Sequence, residues 1–389
     1  LNLESRMSRF IVFTLFFLAV FLQAGAYGLT FMLPKLFAGF GANEKDVGLM
    51  LMITTVATLI TVYFSGHLSD RFGRVATLGI ACFSIALALF LFGWSQSVGI
   101  SLALASIFLG SGWGLTYSLA PVAMSRLVGV DERVRYFALL SVFVMAGFGL
   151  SPVMSAQMLA GGFTIADAFY ITAGLCAVSG FLFFVLITPI RTHSLISGLE
   201  PRSSLTISSI VLVLKSRALV PVIMVCLGAS VFAGMTNFQT VFAEARGLDY
   251  AAYFLAYTVT VIVFRVILSR FKGGNSPYKT IAVLQYIMCG SVILFMGIGG
   301  NQTLYVVVAV LFGIGYGVSY PILVAMAAND AGEDLVPQTL QLFALTYFIG
   351  VFGFPLIAGW MIVELGTTAL LSVVAVLAFI EATMAARRL

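Results

Sequence analysis

Twelve apolar runs follow one another along almost the whole chain, and that recurrence leaves few folds open. Most reach 18 residues or more, enough to cross a hydrocarbon layer of about 30 Å. A backbone inside lipid must satisfy its own hydrogen bonds, so only helices or a closed barrel can span it. Runs without alternation of inward and outward residues exclude the barrel. Composition agrees: 61% of the 389 residues are apolar and 9% are charged, against roughly 25% charged in soluble domains. The expected fold class is all-α integral membrane, with twelve transmembrane helices over 10–34, 47–68, 75–94, 99–121, 136–159, 167–190, 218–242, 251–270, 278–298, 302–327, 337–361 and 367–386. The first run, Phe10 to Leu33, is too long for a signal-peptide core and is expected to be a retained span.

The longest polar stretch, Arg191 to Arg217, divides the chain into two six-helix bundles, 1–190 and 218–389, joined by a linker over 191–217. Within that linker Leu205, Ile207, Ile210, Val211 and Leu214 suit either a short interfacial helix or a plain tether. An even number of spans puts both termini on one side. Loops there hold sixteen basic residues, among them Arg71, Arg74, Arg126, Arg191, Lys215 and Arg388, whereas the opposite loops hold Lys35, Lys45 and Arg246. Positive loops stay inside, so both termini are expected in the cytoplasm, with the chain in a prokaryotic inner membrane. Cys82, Cys176, Cys226 and Cys289 lie within apolar runs without ligand spacing and read as unpaired structural thiols.

The chain repeats itself at an offset of about 203 residues. Gly110-Ser-Gly-Trp-Gly-Leu-Thr-Tyr117 falls on Gly313-Ile-Gly-Tyr-Gly-Val-Ser-Tyr320, Gly129 and Asp131 fall on Gly332 and Asp334, and Gly147 and Pro152 fall on Gly350 and Pro355. Glycine alone recurs in membrane helices because small residues let backbones approach. Aromatic, hydroxyl, acidic and proline matches in one register imply duplicated halves instead.

The second and third spans are joined through Gly66-His-Leu-Ser-Asp-Arg-Phe-Gly-Arg74, which resembles the G-x-L-x-D-R-x-G-R loop of the major facilitator superfamily. The resemblance implies two pseudo-symmetric six-helix bundles working as a secondary carrier. It further implies a conformational gate at Gly66, Asp70, Arg71, Gly73 and Arg74. In the fifth span Gly147-Phe-Gly-Leu-Ser-Pro152-Val-Met-Ser155 is similar to the family's G-x-x-x-G-P-x-x-G motif, associated with exporters and antiporters, and adds Gly147 and Pro152 to the gate. Two positions depart from the family's pattern. Ser106 stands where proton-coupled exporters often carry an arginine, and the second-half loop, Leu268-Ser-Arg-Phe-Lys-Gly273, lacks the aspartate.

In this superfamily spans one, four, seven and ten line the path, which nominates their polar and aromatic residues for substrate binding. Gln23, Tyr27 and Thr30 fall at i, i+4 and i+7 and should share one face. Trp113 with Tyr117, and Tyr316 with Tyr320, repeat that spacing. Asn237 and Gln239 supply amides but cannot share a face well. Gln23 reads either as lining or as interhelical glue, and Arg265 either snorkels or faces the substrate or a gate. Lys35, Asp167, Glu244, Glu364 and Glu381 all sit near predicted span ends, so no carboxylate is expected where a proton is exchanged in mid-membrane.

No phosphate-cradling glycine loop with lysine is present, and His67 and His193 have no metal-ligand partners, so neither an enzyme nor a cofactor is expected. The expected function is export of a small amphiphilic or neutral to anionic solute by alternating access. Import or facilitated entry of a nutrient is the alternative, and a receptor or lipid-handling protein on the same scaffold is a third reading. Expected partners are that solute, the lipid bilayer and a proton or other coupling ion that stays unassigned. Nucleic acid is not a partner, and a monomer is expected.

Overall fold

The computed structural model describes residues 8–128, 133–193, 206–268, 277–331 and 335–388. Among the described residues all regular structure is helical, and twelve helices are long and apolar enough to cross a membrane. In chain order they are α1 (Arg9–Ala38), α2 (Glu44–Phe72), α3 (Arg74–Trp94), α4 (Ile100–Leu127), α5 (Arg133–Ala160), α6 (Ile165–Val185), α7 (Leu219–Thr236), α8 (Tyr250–Leu268), α9 (Pro277–Gly297), α10 (Gln302–Asp330), α11 (Val336–Leu365) and α12 (Thr367–Ala386). Each falls on an expected span. The linker residues 207–215 are also helical, with Thr206 and Ser209 forming a capping box. Ile207, Val211 and Leu214 form an exposed apolar stripe at i, i+4 and i+7, as an interfacial helix requires.

Among the described residues three spans depart from regular helix, and two of the departures lie beside a proline or a close backbone approach. In α1 the helix Arg9–Gly28 gives way to a 3₁₀ turn, Leu29–Met32, before resuming at Leu33–Ala38. A β carbon on Gly28 would lie 2.3 Å from the carbonyl oxygen of Phe148. That carbonyl lacks its helical donor because Pro152, four residues on, has no N–H. The α5 helix nonetheless runs unbroken through Pro152. In α11, by contrast, a π-helical turn at Ile349–Gly353 precedes Pro355. The third case is α7, which ends at Thr236; after Asn237 and Phe238 the chain resumes as a short helix, Gln239–Glu244.

By packing, the described residues fall into two units, one within 1–30 and 56–201, the other within 31–55 and 202–389. The internal repeat reappears inside each as the same contact. In the first, a β carbon on Gly112 of α4 would sit 2.5 Å from Ala81 O and from the Ile85 side chain of α3. In the second, one on Gly315 of α10 would sit 2.8 Å from Leu284 O and 2.6 Å from Met288 N of α9. All three partners differ by the same 203 residues. Likewise Gly147 of α5 lies against Phe21 O and Gly25 N of α1, and Gly350 of α11 against Cys226 O and Ser230 N of α7. With no hydrophobic force between helices in lipid, this close packing is what holds each unit together.

The second unit also includes the far end of α1 and the start of α2. Phe31 stacks on Phe254 at 5.5 Å, and Gly48 and Gly359 bring the backbones of α2 and α11 together. Lys35 pairs with Glu244, and Lys45 with Glu364. The cysteines are free thiols, three of them buried and Cys226 half-buried.

Candidate functional site

The first unit gathers its polar and aromatic candidates around α1 and α4. Tyr27 stacks on Trp113 at 4.3 Å and lies against Phe148 at 4.6 Å, and Trp113 is followed one turn later by Tyr117 at 6.4 Å. Gln23 donates to the Thr116 hydroxyl at 2.9 Å, a bond between α1 and α4. Of the two readings of Gln23, the structure therefore realises the interhelical bond. The expected common face of Gln23, Tyr27 and Thr30 stops short. Thr30 lies in the 3₁₀ turn, where its hydroxyl donates back to the Tyr27 carbonyl at 2.6 Å.

In the second unit Tyr316 stacks on Phe232 of α7 at 4.8 Å, while Tyr320 contacts Phe343 and Tyr347 of α11 at 5.9 and 5.3 Å. The two tyrosines share a helix and reach different neighbours. Asn237 donates to Ala233 O at 3.2 Å within its own helix. Gln239 is wholly buried and neither end of its amide has a hydrogen-bond partner, which makes it the more available of the pair.

Arg265 does not snorkel. Its exposure is 9%, and its Nε donates to Gly317 O of α10 at 2.9 Å. The cause is again a proline: Pro321 has no N–H to give the carbonyl four residues before it, and Gly317, having no side chain, leaves that oxygen open to α8. Tyr257, Tyr316, Tyr320 and Tyr347 are the electrostatic neighbours of the guanidinium. Tyr257 and Tyr347 escaped the sequence reading, since they stand on α8 and α11, outside the four spans searched.

Arg265 and Glu381 are the only buried charged side chains among the described residues. Glu381 corrects the expectation drawn from its position. It stands five residues before the end of α12, yet it is 0% exposed. Its Oε1 accepts from Gln285 Nε2 at 2.7 Å, and the same amide donates to Ser319 Oγ at 3.1 Å. The other residues grouped with it behave as end residues: Asp167 caps α6 with Thr164, and Lys35, Glu244 and Glu364 join the exposed ion pairs.

Between α2 and α3, Gly73 adopts φ +84°, a conformation that favours glycine and turns the chain within one residue. The Thr77 hydroxyl donates to the Gly73 carbonyl at 2.8 Å, and the Gly73 N–H bonds to Ser69 O at 2.9 Å. Asp70 and Arg71 are exposed, and Arg74 begins α3. Among the described residues, a β carbon on Gly66 would meet nothing within 4 Å. The second-half counterpart from Ser269 to Gly273 lies outside the described residues, as do Gly129, Asp131, Gly332 and Asp334. Among the described residues no three metal-ligating side chains come together.

Comparison with known families settles the class. The sequence pattern of the Major Facilitator Superfamily matches residues 15–355. The chain belongs to this superfamily. As a member with twelve apolar spans it is a membrane transporter and not an enzyme. Among curated proteins it is similar to a probable 4-methylmuconolactone transporter of Cupriavidus pinatubonensis (strain JMP 134 / LMG 1197), with 28% identity over 131 residues. That match spans 34% of this chain and 30% of the length of the relative. Among solved structures, the nucleoside transporter NupG, as a point mutant, superimposes with a TM-score of 0.76 at 14% identity, over 97% of this chain and 99% of that one. The human organic anion transporter MFSD10 (TETRAN) superimposes with a TM-score of 0.69 at 15% identity, over 98% and 100%. At such identities these likenesses define the fold of this superfamily member.

Proposed function

We propose that this superfamily member is a secondary active carrier that exports a small organic anion or polar amphiphile by alternating access. The observation that carries the solute class is Arg265, a buried guanidinium held among Tyr257, Tyr316, Tyr320 and Tyr347. A guanidinium presents a planar fork of donors to a carboxylate or an ester carbonyl, and phenol rings accept the apolar remainder of an aromatic or unsaturated solute. Within the first unit, the stacked Tyr27, Trp113 and Phe148 form an aromatic cluster of their own. Gln239, with an unpartnered buried amide, adds a neutral donor and acceptor. Similarity to a probable lactone transporter points to the same solute class.

The outward direction rests on the fifth-span motif, whose Gly147 seats α5 on α1. The positive loops favour a bacterial inner membrane with both termini inside. On this reading the Gly66–Arg74 loop, pivoting at Gly73, is part of the gate. The test is counterflow into proteoliposomes with labelled 4-methylmuconolactone, benzoate, a nucleoside and a sugar. Exchange of the lactone or benzoate in preference to the nucleoside and sugar is expected. Exchange of the nucleoside or sugar alone overturns the solute class, and accumulation driven only inward under physiological gradients overturns the direction.

A further inference from the structure

We infer that Glu381 binds the coupling proton, and that α10 links its protonation to the Arg265 site. The inference rests on the carrier reading and adds the ion that reading lacks. Glu381 is fully buried in α12, and its carboxyl occupies the space left by Gly228 of α7, where a β carbon would come within 2.8 Å of Oε1 and 2.9 Å of Oε2. Oε1 accepts one bond from Gln285; Oε2 has no partner. An ionised carboxylate here would have one neutral N–H and no counter-charge in a low-dielectric setting, an arrangement that burial penalises strongly. The neutral acid suits the site.

The surrounding donors select a proton over a metal cation. Ser319 donates its hydroxyl proton to Tyr316 O at 3.1 Å, and the NH₂ end of Gln285 faces both Ser319 Oγ and Glu381 Oε1. A donor aimed into the cluster repels a cation. Among the described residues no other titratable group neutralises the acid. On α9, Tyr278 is bonded to Asp330, Lys279 is exposed, Tyr286 leans on Phe379, and Cys289 faces Ala375 O. On α7, Cys226 is half-buried on a different side from Gly228, and on α11, Glu364 is engaged with Lys45. On α12 itself, Arg388 pairs with Asp330. Tyr316 is the electrostatic neighbour of Glu381, and it is a neighbour of Arg265 as well.

The coupling route is short. Gly317, which accepts from Arg265, and Ser319, which ends the Glu381–Gln285 chain, stand two residues apart on α10. A shift of α10 that releases one partner must disturb the other. Proton loss from Glu381, which would demand new donors, therefore favours a different α10 position from the protonated state, and the solute held at Arg265 responds to that position.

The test uses the full-length protein in proteoliposomes. Infrared difference spectroscopy should find, in the wild type near neutral pH, a protonated-carboxyl band that is absent from Glu381→Gln and present in Glu381→Asp. Absence of that band in the wild type, or its persistence in Glu381→Gln, overturns the proton site. With labelled 4-methylmuconolactone or benzoate, an imposed pH gradient should raise wild-type accumulation by about tenfold and that of Glu381→Gln by at most about twofold. Equal responses overturn the coupling. A wild type that moves no solute defeats the carrier reading, while the infrared band still decides the proton site.

Discussion

Arg265 on α8 donates its Nε–H to the carbonyl of Gly317 on α10, 2.9 Å away, because Pro321 leaves that carbonyl without its helical donor. Arg265→Lys keeps the charge and loses the planar fork. Its apparent affinity for benzoate is expected to fall by roughly tenfold or more, in line with about 1.5–3 kcal/mol for a hydrogen bond to a charged group. Counterflow kinetics measure it. An unchanged half-saturation concentration would remove Arg265 from the path.

Pro321→Ala probes the same relationship from the other side. The new N–H competes for Gly317 O, straightening α10 and weakening the hold on Arg265. Stability should change little or rise, while transport falls. A variant with wild-type transport would mean that Arg265 is positioned by its other neighbours.

The duplicated contacts make a paired prediction about folding. Gly112→Ala and Gly315→Ala each drive a methyl into the backbone of α3 or α9, at 2.5 and 2.6 Å, and each should cost about 1–3 kcal/mol of stability, as overpacking does. Gly174→Ala and Gly290→Ala, whose β carbons would meet nothing within 4 Å, serve as controls. Thermal unfolding in detergent, followed by size-exclusion chromatography, reads both pairs. Equal losses in all four would point to helix propensity rather than packing.

In the first unit, Trp113→Ala removes the ring that stacks on Tyr27 at 4.3 Å, whereas Tyr27→Phe preserves the stack. An aromatic pair contributes about 0.5–1.5 kcal/mol, so the alanine variant should lose roughly three- to tenfold in apparent solute affinity and the phenylalanine variant little. Equal losses in the two would implicate the Tyr27 hydroxyl instead.

The spans and the repeat were legible in the sequence because lipid imposes a length rule and small-residue packing imposes a register, and both are local. Gly112 and Gly315 were thus visible at once, though their shared partners, Ala81 and Leu284, were not. The site was legible only in part. Arg265 looked able to snorkel because its fate depends on a carbonyl 52 residues away that a proline happens to free. Glu381 looked like an end residue because depth was counted along one helix, whereas its burial comes from Gly228 on α7 and Gln285 on α9. Thr30 leaves the face of Gln23 and Tyr27 because the helix gives way to a 3₁₀ turn at Leu29–Met32, a change that the i, i+4, i+7 spacing does not reveal.

Lys35–Glu244 and Lys45–Glu364 fasten the end of α1 and the start of α2 onto the second unit. Both pairs are partly exposed, with side-chain exposures of 31% and 54% in the first and 36% and 47% in the second, so each should contribute at most about 1 kcal/mol and weaken with salt. Carriers that alternate between states of similar energy are sensitive to such small amounts, since roughly 1.4 kcal/mol shifts an equilibrium tenfold. Lys35→Glu with Lys45→Glu is therefore expected to increase amide hydrogen exchange in residues 31–55 while leaving that of α9 and α10 unaltered. Adding Glu244→Lys and Glu364→Lys should restore protection, because the pairs re-form with exchanged sign. If the fourfold variant stays as open as the double one, the ion pairs do not hold this segment, and the backbone contacts of Gly48 with Pro355 and Gly359 with Glu44 carry it alone.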